Sequence, residues 1–499
     1  RFYDGRGEYG TYVHGAWESW NARQRMLSAW LWVGRTTDPA KVVAEAAGAV
    51  RAANVAVTRT DLERRIASLR RSPTTRWLGV IAEGYRTRGD LEMARRIAGA
   101  KTSGSLAAMG IVTAQSGDAS LAIRTTASGV QVHSLYDHRA GIELAAPAQP
   151  PLLRIALRNA RDGSTAELTS DDGWGRVDCR SLSGSGVSIH LSMPADKRFA
   201  GIEAAATAKA DPASNGWRWT LRVGNASADW GIEQVAFPRI VVVPPADDTA
   251  VFYPTGAGIV QPVRTGTSIN RDSLYPNGWC TMQYMAVYSP QANTGLYYAL
   301  HDPVASSKHL TMVSEDGASV ALGFDVPAPN MGKPETAFTL SGQAVWQLLR
   351  GDWYDAAQIY RSWVRKNAQW FPKLGPNGRT DTPKWMKELC AWAQTGGSPE
   401  ECVEAVKSMQ HALGVPIGFH WYNWHQIPFD NDYPHYFPTK PGVAEAVADL
   451  QAHDVYVMPY INGRLWDTRD RGLEDYEFTS RALPAATKDR SGAPYTESY

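Results

Sequence analysis

The spacing of hydrophobic residues changes along the chain, and its first pattern predicts helices. Over residues 1–105, apolar positions recur three or four apart, as in DPAKVVAEAAGAVRAA, DLERRIASLRR and GDLEMARRIAGA. This spacing is typical of amphipathic helices, and the pair Asp38-Pro39 is a common helix start. We therefore predict a helical segment over residues 1–105, either a small domain or the tail of a preceding one.

From residue 106 to about 345, apolar and polar residues alternate with a period of two. The pattern predicts short strands, with turn signals at Ser128-Gly129 and from Asp137 to Gly141. The clearest examples are SLAIRTTASGVQVHSLYDHRAGIEL, PLLRIALRN, VSIHLSM, WRWTLRVGN, IVVVPP, GLYYALHD and ASVALGFDV. Because no helical pattern lies between them, we predict a large antiparallel β-sandwich over residues 106–345.

A helical connector and linker are predicted over residues 346–383. Trp353, Tyr360 and Val364 recur at helical spacing, and Asp352 stands where an N-cap residue belongs. The Pro- and Gly-rich segment PKLGPNGRTDTPK that follows indicates a domain boundary.

The last segment, residues 384–499, alternates strands with helices. The predicted strands are ELCAWAQT, VPIGFHWY and VYVMPYING, separated by the helices SPEECVEAVKSMQHALG and GVAEAVADLQAHD. Ser398 and Pro399 fit the N-cap and first positions of the earlier helix. Such an order favours the first part of a (β/α)8 TIM barrel. A doubly wound sheet is the alternative, but no Gly-rich phosphate loop follows the first strand.

The predicted barrel is truncated, because a complete one needs about 250 residues. The chain begins at Arg1 without a methionine and ends abruptly at Tyr499. We therefore expect an internal piece of a longer protein, for which a missing signal peptide says nothing about localisation.

The charge of the chain argues against two classes of partner. Lys and Arg number 51 against 50 Asp and Glu, which gives a net charge of +1. A chain with so balanced a charge lacks the excess of positive charge that binding to nucleic acid or to an anionic membrane surface requires. No apolar run approaches the roughly 18 residues of a membrane span. We expect neither partner, and the sequence does not indicate an oligomeric state.

Cofactor and metal motifs are missing from the sequence. The four cysteines are far apart and form no CxxC pair, so neither a disulfide framework nor a structural zinc site is expected. The chain also lacks HExxH, GxSxG and GxxxxGK[ST]. We therefore expect no cofactor and no metal. One glycosylation sequon, Asn225-Ala226-Ser227, matters only in a glycosylating host.

Tryptophan is unusually abundant, at 19 residues against 11 Phe. Core packing alone would favour Phe, because a buried indole N–H needs a hydrogen-bond partner. Flat rigid rings with a polar edge suit sugar rings, so the excess points towards a carbohydrate ligand. A Trp-rich core is the alternative.

The order of these parts resembles a clan of glycoside hydrolases that includes α-galactosidase-like, α-glucosidase-like and endo-α-N-acetylgalactosaminidase-like enzymes. More closely, four segments resemble an uncharacterised family of glycoside-hydrolase-like barrel proteins known only as a domain of unknown function. They are SLYPNGWCTMQYMAVYS, GLYYALHDPVASSKHL, FHWYNWHQIPFDNDYPHYFPTKPG and YVMPYINGRLWD. The resemblance covers roughly residues 115–499.

This resemblance implies a galactose-mutarotase-like super-sandwich before the barrel, and hydrolysis of O-glycosidic bonds by two carboxylates. It also implies a carbohydrate substrate and weakly favours a secreted, periplasmic or cell-surface location. In the better-known relatives the nucleophile follows the fourth barrel strand and the acid follows the sixth. Both main catalytic carboxylates are therefore expected beyond Tyr499.

Candidate site residues follow the second and third predicted strands, because barrel active sites lie where strands end. Asp467 and Asp432 are the candidate catalytic carboxylates, and Arg464 is near enough in sequence to keep Asp467 ionised. The candidate substrate-binding residues offer aromatic faces or hydrogen-bonding groups: Trp421, Trp424, His425, Asp430, Tyr460, Asn462, Arg464 and Trp466. The structural alternatives are a core role for both tryptophans and a surface turn for the aspartates of FDNDYP.

Two other functions stay open at this point. One is a barrel that binds glycans without cleaving them. The other is a metal-dependent hydrolase with His420, His425 and Asp432 as ligands, although the first strand lacks the histidines usual in such barrels.

Overall fold

The computed structural model forms two compact units that divide between Phe371 and Pro372. It describes Leu106 and residues 109–497, with gaps at 172, 278, 331, 429–431, 473–476 and 490. The helices predicted over residues 1–105 lie outside the described residues. No helix in the described part is both long and apolar enough to cross a membrane.

The first unit, here called the sandwich unit, is built from short strands, as the alternation predicted. Its earlier strands are β1 (Ile111–Ser116), β2 (Ala119–Thr125), β3 (Val130–Asp137), β4 (Ile142–Glu143), β5 (Arg154–Asn159), β6 (Thr165–Thr169), β7 (Trp174–Leu182), β8 (Gly186–Pro194), β9 (Ile202–Asp211), β10 (Gly216–Asn225) and β11 (Trp230–Ala236). The later strands are β12 (Ile240–Val242), β13 (Ala250–Tyr253), β14 (Ile259–Pro262), β15 (Ile269–Tyr275), β16 (Tyr284–Ser289), β17 (Thr294–His301), β18 (Lys308–Ser314), β19 (Val320–Pro327), β20 (Phe338–Thr339) and β21 (Gln343–Leu348). Short 3₁₀ turns lie at Lys197–Phe199 and Pro212–Ser214.

Two large antiparallel sheets share the core of this unit. One has the order β14-β13-β16-β17-β21-β10-β9-β8-β7, with β20 beside β10, and the other has β15-β18-β19-β11-β5-β6, with β12 beside β19. A smaller sheet, β1-β2-β3-β4, contributes to the same hydrophobic cluster. The arrangement is a β-sandwich.

The alternation of side chains explains how one face of each strand reaches this core. In β9, Ile202, Ala204 and Ala206 are buried while Glu203 and Ala205 are exposed. The indole rings of three neighbouring strand positions, Trp217, Trp219 and Trp346, are also fully buried in the cluster. Part of the tryptophan excess therefore serves core packing.

A helix, α1 (Trp353–Asn367), packs on the large sheet through its predicted apolar face. Ala356, Tyr360 and Val364 join a cluster with aromatic residues of β13, β16 and β17. The predicted N-cap is confirmed, because the Asp352 carboxylate accepts a hydrogen bond of 2.8 Å from the backbone N–H of Tyr354.

The second unit, here called the parallel-sheet unit, alternates strands and helices. Its elements are β22 (Leu374–Gly375), β23 (Gly378–Arg379), α2 (Lys384–Glu388), β24 (Trp392–Gly396), α3 (Pro399–Leu413), β25 (Ile417–Tyr422), α4 (Val443–Ala452) and β26 (Val455–Pro459). A π-helical turn follows at Phe478–Ala482, which the sequence pattern did not predict. The sheet β24-β25-β26 is parallel, as predicted.

One face of this sheet is covered by α3 and α4. Phe419 and Trp421 of β25 pack there with Val406 and Leu450 of the two helices. The intervening residues of β25 lie on the opposite face, where a side chain at Gly418 would collide with the ring of Trp392. The start of α3 is confirmed as well, since Ser398 is its N-cap within a capping box.

Candidate functional site

Two loops follow the carboxyl ends of β25 and β26 and are tied to each other. We call residues 423–428 and 432–442 the first strand-end loop and residues 460–472 the second. The indole N–H of Trp424 donates to the backbone oxygen of Tyr460 at 2.8 Å. The backbone N–H of Asp467 donates to the backbone oxygen of Tyr433 at 2.8 Å. These bonds hold the candidate residues of the two loops near each other.

The candidate catalytic carboxylates lie in one charged network. The Nε atom of Arg471 is 2.9 Å from Asp432, and its Nη2 atom is 3.6 Å from Asp467. Asp432 has a second contact, with His435 Nδ1 at 3.0 Å. The structure thus brings Asp432 and Asp467 together around Arg471. Neither Arg471 nor His435 was predicted from the sequence, because nothing in their spacing indicates contact with the aspartates.

Asp467 is held ionised, but by a different arginine from the one expected. The Arg469 guanidinium contacts it at 2.5 Å, and this hydrogen bonding, rather than burial, sets the pKa of Asp467 at about 2. The predicted partner, Arg464, instead binds Glu497 at 3.0 Å. The expectation for Arg464 was wrong because Asp467 also accepts from the backbone N–H of Arg469 at 2.9 Å, and this turn places the Arg469 side chain beside it.

Both candidate tryptophans pack inside the parallel-sheet unit. Trp421 is 0% exposed, and its indole N–H donates to the backbone oxygen of Gly397 at 3.1 Å. Trp424 is buried and lies nearly parallel to the ring of Tyr436, with 5.8 Å between ring centroids. Neither ring has an open face for a sugar, so their burial favours the core role.

Other aromatic rings remain accessible at the strand ends. Tyr460 stacks on Tyr422 with 4.4 Å between centroids, and both are half-buried. Phe437 is 75% exposed and contacts the edge of Trp424. Of these three rings, only Tyr460 was predicted from the sequence as a site residue. The register of β25 could have indicated Tyr422, which lies on the face opposite the helices.

His425 presents a hydrogen-bond acceptor. It is buried, and its Nδ1 atom is 3.0 Å from the backbone oxygen of Ile427, which requires the proton on Nδ1. Its Nε2 atom therefore accepts, and no described residue donates to it. Burial lowers the pKa of His425, so the ring is neutral at pH 7.

The remaining candidates have mixed positions. Asn462 accepts hydrogen bonds from the backbone N–H groups of Arg464 and Leu465 at 2.8 and 2.9 Å, which shapes the second strand-end loop. Trp466 is half-buried. Asp430 lies outside the described residues. Within the described part, His420, His425 and Asp432 do not form a three-ligand group that could hold a metal ion.

Comparison with known proteins gives sequence relatives among glycoside-hydrolase-like proteins. Residues 338–499 match a family described as Domain of unknown function (DUF6259). A protein of Bacteroides thetaiotaomicron named "Putative glycoside hydrolase" is 31% identical over 279 residues, covering 54% of this chain and 38% of the relative. "Putative glycoside hydrolase 22789" of Monosiga brevicollis is 28% identical over 284 residues, covering 51% of this chain and 23% of the relative.

A solved structure shares the fold. The alpha-N-acetylgalactosaminidase NagBb from Bifidobacterium bifidum, in complex with GalNAc, superposes with a TM-score of 0.53 at 13% identity, covering 73% of this chain and 62% of that one. The resemblance predicted from the sequence is therefore confirmed. The chain spans well under half the length of the two curated relatives that it matches.

Proposed function

We propose that this chain belongs to a glycoside hydrolase that cleaves O-glycosidic bonds by a two-carboxylate mechanism. The observation that carries the proposal is the group of Asp432, Asp467 and accessible aromatic rings at the carboxyl ends of parallel strands. Sugars bind where flat apolar faces meet convergent hydrogen-bonding groups. The names of the two sequence relatives support the same class of reaction.

In this proposal, β24, β25 and β26 are the first strands of a (β/α)8 barrel. Three parallel strands with crossover helices on one face have the local architecture of such a barrel. The sequence-based division at residues 105, 345 and 383 belongs to the same proposal. It assigns the sandwich and connector to residues 106–383 and the barrel start to residues 384–499.

Asp432 and Asp467 are proposed to orient the substrate rather than to protonate it. A general acid must carry a proton near neutral pH, and hydrogen bonding from Arg469 holds the pKa of Asp467 at about 2. An ionised carboxylate can accept hydrogen bonds from sugar hydroxyls or stabilise an oxocarbenium-like transition state. In this proposal, two other carboxylates act as the acid and the nucleophile.

The substrate is proposed to be a glycan with terminal galactose or N-acetylgalactosamine. The solved protein that shares the fold is named an alpha-N-acetylgalactosaminidase, which makes its sugar the first to test. Phe437 and the stacked pair Tyr422 and Tyr460 would then contact the apolar face of the ring, and His425 Nε2 would accept from a hydroxyl.

The test is a turnover screen of the intact protein on 4-nitrophenyl α-glycosides of galactose, N-acetylgalactosamine and glucose. Asp467→Asn is expected to lower kcat/KM by roughly 10- to 100-fold, since it weakens charge-assisted hydrogen bonds. Phe437→Ala should lower it by roughly 3- to 10-fold through lost stacking. Leu413→Ala is the matched control, because Leu413 is 48% exposed at the carboxyl end of α3, which precedes β25 and so lies at the end of the sheet opposite the two loops.

Three results are informative. Turnover that falls in both site variants and not in the control supports the proposal. Glycan binding without turnover, measured by calorimetry, replaces it with a non-catalytic carbohydrate-binding barrel. Neither binding nor turnover on a broad glycan array rejects both.

A further inference from the structure

Asn423 has an unusual backbone conformation at the end of β25. It is the first residue after the strand, and its φ angle of 52° lies in the left-handed region. Few side chains tolerate this region, and asparagine is among those that do. The conformation places the residue at the start of the first strand-end loop, between Tyr422 and Trp424.

The side-chain oxygen of Asn423 is buried, and no described residue donates a hydrogen bond to it. Two other left-handed asparagines of this protein use the same atom to hold the chain. Asn215 Oδ1 accepts from the backbone N–H of Asp118 at 2.8 Å, and Asn293 Oδ1 accepts from that of Gly351 at 3.0 Å. Asn423 therefore differs from them in the environment of its carbonyl group, not in its backbone.

Two unsatisfied polar atoms in the sandwich unit have a simpler explanation. The indole nitrogens of Trp219 and Trp346 are also buried without a partner, but each belongs to a large ring in the sandwich core. Burial of such a ring offsets the lost hydrogen bond. The side chain of asparagine has no comparable apolar body, so an unsatisfied carbonyl there is not compensated by its own burial.

The neighbours of Asn423 are the groups already assigned to the site. Tyr422 stacks on Tyr460 of the second strand-end loop, and Trp424 donates to the backbone oxygen of the same tyrosine. Two residues further on, His425 Nε2 is a second buried acceptor to which no described residue donates. Two unsatisfied acceptors in three residues favour a ligand that brings hydrogen-bond donors.

We propose that Asn423 is a specificity-determining residue whose side-chain oxygen accepts a hydrogen bond from a hydroxyl group of the bound sugar. The proposal rests on the glycoside-binding function proposed above and adds to it a residue that sequence analysis did not identify. A site that pairs an amide oxygen with a hydroxyl discriminates against analogues in which that hydroxyl is missing.

The test compares Asn423→Gly with Asn423→Asp in the intact protein. Glycine adopts a positive φ without strain but removes the acceptor, whereas aspartate tolerates the conformation and keeps an oxygen acceptor. Binding of galactose, N-acetylgalactosamine and glucose is measured by calorimetry, and the unfolding midpoint by scanning calorimetry. Asn215→Gly is the matched control, since Asn215 has the same φ of 52° but lies in the sandwich unit.

We expect Asn423→Gly to raise the Kd for the preferred sugar by roughly 3- to 10-fold, with an unfolding midpoint equal to or above that of the wild type. Asn423→Asp should stay within about 3-fold of the wild type. The deoxy analogue of that sugar lacking the contacted hydroxyl should bind both the wild type and Asn423→Gly equally weakly.

Unchanged affinity in Asn423→Gly would overturn the proposal and leave the residue with a turn-forming role only. So would equal losses of affinity in the Gly and Asp variants accompanied by a lower midpoint, because that pattern indicates a structural role. If the wild type binds none of the three sugars, both the proposed function and this inference are overturned. In the first two results, by contrast, the wild type still binds sugar and only this inference fails.

Discussion

Each unit contains a close ion pair, and the two pairs differ in their exposure to solvent. The sandwich unit has Lys308 with Asp302, and the parallel-sheet unit has Asp467 with Arg469. Both side chains of the first pair are 0% exposed. In the second pair Asp467 is 8% exposed, while Arg469 is 58% exposed. Solvent therefore reaches one member of the second pair and neither member of the first.

The partners of the two pairs differ in the same way. Besides Asp302, the Lys308 ammonium donates to Gln283 Oε1 at 2.7 Å and to the backbone oxygen of Ser306 at 2.5 Å, so it has three acceptors. Burial nevertheless lowers the pKa of Lys308 to about 8. A charge enclosed with all of its partners maintains the fold, whereas the second pair keeps one of its charges, that of Arg469, in contact with solvent.

Replacing Asp302 by Ala should have the largest effect on stability. It leaves the Lys308 ammonium buried without its counter-ion, and removing one partner of a buried pair costs about 3–5 kcal/mol. Urea denaturation of the intact protein, followed by tryptophan fluorescence, would measure the loss. Asp381→Ala is the control, since Asp381 pairs with Arg379 on the surface. Equal midpoints for the two variants would contradict the comparison.

The pH dependence of Asp467 gives the next largest effect. Its pKa in the folded protein is about 2, below the usual value of 3.8. A carboxylate with a lowered folded pKa stabilises the fold above pH 4, and this contribution disappears as the pH falls towards 2. Because solvent screens the exposed Arg469, the contribution is about 1–2 kcal/mol, less than the full shift would give. We expect Asp467→Asn to lose stability at pH 6 and to show a flatter acid limb between pH 4 and pH 2 in denaturation curves. If the stability of the variant falls as steeply between pH 4 and pH 2 as that of the wild type, other carboxylates cause the acid dependence.

A smaller effect is expected at the start of α1. Asp352 accepts from the N–H of Tyr354, and its own N–H donates to Asp355 at 2.9 Å. Asp352→Ala should lower the unfolding free energy by about 1 kcal/mol, while Asp352→Ser, which keeps a capping oxygen, should lose less. Thermal unfolding of both variants checks the order. An alanine variant as stable as the serine variant would mean that the cap contributes little.

At the glycosylation sequon of the sandwich unit we expect no modification at all. Asn225 is buried, its Nδ2 group donates to the backbone oxygen of Trp230 at 2.9 Å, and its Oδ1 accepts from Ser227 at 3.0 Å. Because the folded state encloses this amide, we expect no glycan on Asn225 after expression in a glycosylating host. Mass spectrometry of the peptide decides the matter, and a modified peptide would show that the amide is accessible before folding.

The periodic features of the fold could be predicted from the sequence. A two-residue period predicted the strands of the sandwich unit. A helical period preceded by Asp352 or Ser398 predicted a helix with that residue as its N-cap, and the structure has both helices. Which strands pair could not be predicted in the same way. For instance, β10 lies between β9 and β21, and alternation does not encode so distant a partner.

Within the candidate site, the sequence located the strand ends but not the side-chain environments. The rule that places Asp467 near a strand end does not predict whether Arg464 or Arg469 contacts its carboxylate. The local turn at Asp467 determines which arginine side chain lies beside it. The burial of Trp421 was accessible in principle. It shares a face with Phe419 in β25, and that face packs on the helices.

The position of Arg471 between Asp432 and Asp467 has a consequence for how substitutions in the two loops combine. Each aspartate shares the same counter-ion, so the cost of substituting one depends on whether the other is still present. The effects of substituting Asp432 and Asp467 are therefore expected to be non-additive in a double-mutant cycle.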